Sequence, residues 1–75
     1  MELKVWIGSV QRIISGVSLH TTSQDVIVAL AQATGKTGRF TLIEKWREYE
    51  KTLAPNDCPL ANVQKFGDYA HEVRQ

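Results

Sequence analysis

The sequence predicts an α+β domain in which a mixed β-sheet packs on one crossing helix. Two observations support this prediction. The first seven residues alternate between apolar and polar side chains, which is the period of a half-buried strand. Residues 22–33 combine a helix-capping signal with an apolar stripe of helical period. A chain of 75 residues is long enough for one such domain and too short for two.

The N-terminal segment predicts a β-hairpin. Residues 1–7 form the first strand, and its inward face consists of Leu3, Val5 and Ile7. Gly8-Ser9 follows as a turn. Residues 10–17 are rich in β-branched side chains and predict the second strand.

One helix of about three turns follows the hairpin. Thr22 offers a capping hydroxyl and Asp25 an acid three residues later, a variant of the capping box. Gly35 stands where a helix favours a left-handed residue at its C-terminal end. The stripe expected to face the sheet comprises Val26, Ile27, Leu30 and Ala33.

The second half of the chain predicts four further elements: a strand over 40–46, a short strand over 52–54, a short helical turn over 60–66 and a strand over 70–75. The alternation of apolar and polar residues within 40–46 shifts by one position midway, so the sequence does not determine which face of that strand is buried. The complete order, ββαββαβ, is that of the ubiquitin-like β-grasp. Because the last pattern stops at Gln75, we expect a fragment of a longer protein, cut near the end of this domain.

Composition excludes several classes of function. Nine Lys and Arg against eight Asp and Glu give a formal net charge of +1, far from the basic balance of a nucleic-acid binder. The longest apolar run, residues 26–31, is too short to span a bilayer. The single cysteine fits a reducing compartment, so we expect a cytoplasmic protein without membrane insertion.

Neither catalysis nor cofactor binding is expected. Gly35-Lys36-Thr37 resembles the end of a phosphate-binding loop, but it follows a helix, whereas the real motif follows a strand. His20 and His71 have no metal ligands at suitable spacing. Cys58 has no neighbouring cation that would activate its thiol. The sequence therefore predicts no enzyme, no metal and no cofactor.

The hairpin is the strongest candidate for binding. Lys4 and Trp6 alternate outward on the first strand. If the second strand buries Ile13, Ser15 and Val17, then Arg12 and Ile14 lie outward beside them. An aromatic side chain flanked by cations is typical of interface hot spots. The alternative is that Trp6 covers a loop and that the two cations pair with acids such as Glu2.

The second strand is expected at an edge of the sheet, and an edge strand presents unpaired backbone groups to another protein's strand. Residues 44–51 mix charges of both signs with two aromatic side chains. They predict either a solvated strand end and loop or a second binding surface.

Several segments in order resemble the N-terminal Ras-association domain family, the branch with this domain at the extreme N-terminus. The resemblance rests on Met1-Glu2-Leu3-Lys4-Val5-Trp6-Ile7, Val10-Gln11-Arg12-Ile13, Ala29-Leu30-Ala31-Gln32-Ala33, Thr37-Gly38-Arg39-Phe40, Leu42-Ile43-Glu44-Lys45-Trp46-Arg47 and Leu53-Ala54-Pro55. It implies a ubiquitin-like fold, a C-terminal coiled-coil region outside this chain that can form homo-oligomers, and a scaffold role in junctional and apoptotic signalling. Cell junctions are the implied location.

The resemblance also implies a binding mode. Domains of this kind, as in the Raf kinases, add their second strand to a Ras-type GTPase in its GTP form. Gln11-Arg12 is similar to the Gln-Arg pair of Raf, but the outer helix face offers Val28, Ala31 and Gln32 instead of cations. Fewer cations should weaken the affinity. The predicted binding residues are Lys4, Trp6, Gln11, Arg12, Ile14 and Lys36.

Two functions remain open at this point. The first is a noncatalytic Ras-association domain that binds Ras-family small GTPases through the hairpin edge. The alternative is a ubiquitin-like interaction or self-assembly domain that docks scaffold proteins independently of nucleotide state.

Overall fold

The fold is a five-stranded mixed sheet packed on one main helix. The computed structural model describes residues 1–35, 38–61 and 69–74. The elements are β1 (Leu3–Ile7), β2 (Val10–Ile14), α1 (Ser23–Thr34), β3 (Thr41–Trp46), β4 (Tyr49–Thr52) and β5 (Ala70–Arg74). The strand order is β2-β1-β5-β3-β4; β1 and β5 are parallel, and the other neighbours are antiparallel. The predicted ubiquitin-like β-grasp is confirmed.

The sheet has a helix face, which carries the core, and an open face on the other side. Leu3 and Val5 of β1 are buried on the helix face and Ile7 is half-buried, as predicted. Gly8 has φ 61°, a left-handed conformation that glycine adopts without steric cost, and it opens the two-residue turn between Ile7 and Val10. The hairpin prediction is confirmed, although the second strand ends at Ile14 and does not continue to Val17 as predicted.

Helix α1 begins and ends where the sequence predicts. The Asp25 amide donates to Thr22 Oγ1 and the Thr22 amide donates to Asp25 Oδ2, both at 3.2 Å, which completes the capping box. Gly35 has φ 68° and its amide donates to the Ala31 carbonyl at 2.9 Å. The predicted stripe is wrong at Ala33, which is exposed because it lines an open cleft beside the edge strand β2.

The core lies between α1 and the helix face. Its buried side chains are Leu3, Val5, Val17, Val26, Leu30, Leu42, Leu53, Leu60 and Val73. Strand β3 is buried on both faces: Leu42 and Glu44 lie on the helix face, whereas Ile43 is buried outside the core cluster, on the open face beside Glu72. This double burial explains why the alternation of β3 assigns no single buried face.

The fourth strand is not where the sequence predicts it. A turn at Arg47 and Glu48 lets β4 begin at Tyr49, whereas the prediction placed a strand over 52–54. The reason is that β4 is exposed at every position, so its charged residues give no apolar signal. Leu53 lies just beyond the strand, and its amide donates to the Leu42 carbonyl at 2.9 Å.

The remaining predicted elements have different outcomes. Residues 59–61 are helical, and the rest of the predicted turn over 60–66 lies outside the described residues. The last strand is confirmed as Ala70–Arg74.

A buried polar pair interrupts the helix face. His71 of β5 lies opposite both Val5 and Glu44, and the two polar side chains are 1% and 5% exposed. His71 Nε2 is 3.7 Å from Glu44 Oε2 and has no hydrogen-bond partner within the described part of the chain. Burial lowers the pKa of His71 to about 4, so the imidazole is neutral at pH 7.

Candidate protein-binding edge

Strand β2 forms one edge of the sheet. It pairs with β1 and with no other strand in the residues described, and four of its five residues are exposed. A two-residue turn is closed by a hydrogen-bonded pair of residues, here Ile7 and Val10. Along the two strands, hydrogen-bonded pairs then alternate with non-hydrogen-bonded pairs. Gln11 and Ile13 therefore direct their backbone amides and carbonyls away from β1. These groups can receive another strand.

The predicted site residues lie on two faces. Lys4 and Trp6 lie on the open face, opposite Ile13 and Gln11 respectively. Arg12 and Ile14 lie opposite Val5 and Leu3, on the helix face. The prediction that Lys4, Trp6, Arg12 and Ile14 share one surface is therefore wrong. They border the same edge from opposite sides.

The difference arises because the extended conformation of β2 is interrupted before Val17. The strand ends at Ile14, and Gly16 has φ 75°, which no strand residue adopts. Val17 is buried as predicted. Counting back from Val17 in steps of two passes through the turn at Gly16, however, and therefore assigns Ile13 to the buried face, where it does not lie. Ile14 packs against the core, whereas Ile13 is 56% exposed.

Sequence reasoning missed two exposed apolar residues of the edge. Ile13 lies on the open face beside Lys4, and Val10 is 53% exposed on the helix face. Counting from the turn would have found both. If Ile7 and Val10 close the hairpin, Val10 shares the helix face with Ile7, and Ile13 lies opposite Lys4 on the open face. Exposed β-branched side chains on both faces favour contact with a strand.

Arg12 lines a cleft between the edge and the helix. The cleft has a volume of about 240 Å³ and is lined by Ile7, Val10, Arg12, Ala33 and Thr34. Neither Arg12 nor Lys4 is within 4.0 Å of an acid in the described ranges, so neither makes the alternative ion pair with Glu2. Both cations are available to a partner. The predicted contact Lys36 lies outside the described residues.

The outer face of α1 carries no cation where the structure describes it. Val28 and Gln32 are exposed, as predicted. Ala31 is half-buried and lines a small apolar cavity with Phe40 and Val73, so its predicted outward position is wrong. The helix therefore offers the β2 edge no cation up to Gly35.

The far half of the open face neutralises its own charges. Arg74 donates to Glu50 and Glu72 at 2.8 Å, and Lys45 Nζ is 3.1 Å from Glu72 and 3.5 Å from Glu50. Hydrogen bonds from Arg74 and then Lys45 lower the pKa of Glu50, and bonds from Lys45 and then Arg74 lower that of Glu72. Within the described residues, Lys4 of β1 and Arg12 of β2 take no part in this network, and neither lies within 4.0 Å of an acid.

The segment 44–51 is a paired hairpin and not a strand end followed by a loop. Trp46 stacks with Tyr49 and Tyr69, with ring centroids 6.4 and 6.2 Å apart. The Arg47 guanidinium lies 4.8 Å from the centre of the Trp46 ring. These contacts use the aromatic side chains within the domain, although Tyr49 remains largely exposed.

The described residues contain no group of three His, Cys, Asp or Glu side chains placed to hold a metal ion. No helix within them is both long and apolar enough to cross a membrane. Cys58 is half-buried, with its Sγ 3.9 Å from the Asn56 carbonyl.

One family of domains matches the chain along its whole length, and individual relatives match nearly all of it. Residues 1–75 match the family described as apoptosis-stimulating of p53 protein 2-like, N-terminal RA domain. The chain is 57% identical over 74 residues to Ras association domain-containing protein 8 of mouse, covering 99% of this chain and 18% of that protein. It is 49% identical over 74 residues to Ras association domain-containing protein 7 of mouse and of human, covering 99% of this chain and 21% and 20% of those proteins. The chain thus spans about a fifth of the length of these relatives.

Proposed function

Since the chain belongs to the family of apoptosis-stimulating of p53 protein 2-like N-terminal RA domains, we propose that it is a noncatalytic module that binds a Ras-family small GTPase through the β2 edge. Its place among Ras association domains agrees with the resemblance of its residues to the N-terminal Ras-association domain family. The names of its relatives refer to Ras association. Strand addition at β2 is the binding mode that we infer for this chain.

The single observation that carries the proposal is the open edge of β2 with Arg12 at its centre. Gln11 and Ile13 offer backbone groups to an incoming strand, and Arg12 offers an unneutralised cation on the helix face. Lys4 provides a second cation on the open face, beside Trp6, which is 40% exposed. An acidic strand would thus meet one cation on each face.

We propose that the domain binds its GTPase weakly. Charge complementarity raises the association rate and favours the correct partner. Helix α1 contributes no cation in its described length, so complementarity rests on Lys4 and Arg12. We expect binding that depends on the GTP form and falls steeply as salt is added.

The role of the whole protein is proposed on the same basis. The longer protein would act as a signalling scaffold at cell junctions, in contact with junctional or apoptotic scaffold proteins. Self-association would come from a coiled coil outside this chain.

The proposal is tested by titrating the domain with Ras-family GTPases, each loaded with a nonhydrolysable GTP analogue or with GDP, at low salt. We expect binding to the GTP form and a loss of at least about tenfold in affinity for Arg12→Glu, because the variant places an acid before an acidic strand. The matched control is Lys51→Glu, the same charge reversal on β4 at the opposite edge. It should change the affinity by less than about threefold, since Lys51 lies four strand spacings, about 19 Å, from β2 and makes no direct contact with the incoming strand.

Equal binding to both nucleotide forms would contradict the GTPase proposal. It would favour the second candidate function, docking of a protein strand irrespective of nucleotide. The exposed Val10 and Ile13 favour this candidate, because apolar contacts along the edge do not require an acidic switch surface.

A further inference from the structure

The edge strand β2 is almost complementary to itself. Two copies can join their β2 strands antiparallel about a two-fold axis perpendicular to the sheet, which keeps the helix faces on the same side. Residues that meet must then belong to the same face. In the register that overlaps all five residues, Val10 meets Ile14 of the second copy, Gln11 meets Ile13, and Arg12 meets Arg12.

Four of the five pairs in this register are acceptable. Val10 and Ile14 are both apolar and pack on the helix face. Gln11 and Ile13 have the outward backbone groups, so they form the hydrogen-bonded pairs of the new ladder.

The central pair is the exception. Arg12 would form a non-hydrogen-bonded pair with itself, and such pairs bring opposite Cα atoms to about 4.5 Å. Like charges directly opposite destabilise a sheet. Shifting the register by two residues separates the guanidinium groups, but only three strand residues of each copy then pair.

The other edge strand, β4, also brings like charges together when it pairs with itself. On β4, Glu50 lies on the open face and Lys51 on the helix face. A two-fold antiparallel pairing centred on the strand therefore places Glu50 opposite Glu50 or Lys51 opposite Lys51. Pairing β2 of one copy with all of β4 of another places Arg12 opposite Lys51. Each of these self-pairings brings like charges together.

We propose that Arg12 prevents the domain from pairing with its own copies through β2, and that removing this one charge converts the edge into a dimer interface. The edge is thereby reserved for a strand that does not place a cation opposite Arg12. This inference concerns the domain alone and does not depend on the partner being a GTPase.

The test is sedimentation velocity of four samples up to millimolar concentration: the unmodified chain, Arg12→Thr, Arg12→Glu and an equimolar mixture of the unmodified chain with Arg12→Glu. The unmodified chain and Arg12→Glu alone should stay monomeric, because each opposes like charges. Arg12→Thr should dimerise with a dissociation constant at least about tenfold lower than the unmodified chain, since opposed threonines pair well in sheets. The mixture should form a heterodimer, which added salt weakens.

The matched control is Lys4→Thr, which removes the same unit of charge from β1 and leaves the edge intact. It should remain monomeric. In the Arg12→Thr dimer, amide exchange should slow at Gln11 and Ile13. Circular dichroism checks that the variants are folded, and the mixture tests the proposal independently of Arg12→Thr.

Two results would overturn the proposal. One is a monomeric mixture together with monomeric, folded Arg12→Thr at millimolar concentration. The other is a Lys4→Thr chain that dimerises as tightly as Arg12→Thr, because overall charge and not the edge would then control association.

Discussion

Replacing Leu42 with alanine should lower the free energy of unfolding by about 2–5 kcal/mol. Leu42 is fully buried on the helix face of β3, opposite Val73 of the central strand β5. The truncated side chain leaves a cavity that the surrounding strands cannot fill. A domain of this size has only about 4–11 kcal/mol of stability in total, so the variant should be partly unfolded near body temperature. Urea denaturation followed by circular dichroism measures the loss.

The matched control is Ile13→Ala, a large apolar residue truncated on an exposed strand position. It should cost no more than about 1 kcal/mol, which is the range of strand propensity. Ile14→Ala should cost more than Ile13→Ala, because Ile14 packs against the core. The opposite order would mean that β2 has the face assignment that the sequence alone suggests.

Acidification should remove up to roughly 3 kcal/mol of stability between about pH 6.5 and pH 4 through His71. The folded domain holds the imidazole neutral because burial lowers its pKa from 6.5 to about 4. The unfolded chain takes up a proton near pH 6.5, so the unfolded state gains stability as the pH falls below that value. The contribution is fully present above pH 6.5. The Glu44 carboxylate favours the charged imidazole, but Glu44 Oε2 lies 3.7 Å from His71 Nε2, too far for a hydrogen bond between the two, and desolvation dominates.

Denaturation at a series of pH values measures this effect. His71→Gln should flatten the profile between pH 6.5 and pH 4, because glutamine does not titrate. The matched control is His20→Gln, the same substitution at an exposed loop position. Glu50 and Glu72 act mainly below pH 4.5, because their pKa values are lowered, so their effect overlaps that of His71 only at the acidic end of the profile. A profile that is equally steep for His71→Gln would exclude His71 as the cause.

The sequence predicts the fold correctly where local signals agree with tertiary structure. The capping box at Thr22, the left-handed Gly35 and the alternation of β1 are all local, and each appears in the structure as predicted. Strand β4 could not be located because an edge strand exposed at every position has no apolar period. Strand β3 could not be oriented because Leu42 and Ile43 are buried on opposite faces.

For the candidate site, the sequence predicts the edge but not its faces. An exposed β2 follows from the hairpin and the fold, and the structure confirms that strand as an edge. The faces depend on where the strand ends, and the positive φ of Gly16 cannot be read from a row of β-branched residues. The buried His71 was likewise unrecognisable, because its burial depends on β5 lying between β1 and β3.

The most direct test of the central claim is amide hydrogen exchange of the domain, free and saturated with a GTP-loaded Ras-family GTPase. Strand addition at β2 predicts slower exchange at Gln11 and Ile13, whose amides point away from β1. Val10, Arg12 and Ile14 face β1 already and should change much less. Protection on β4 or α1, with Gln11 and Ile13 unchanged, would contradict binding at the β2 edge.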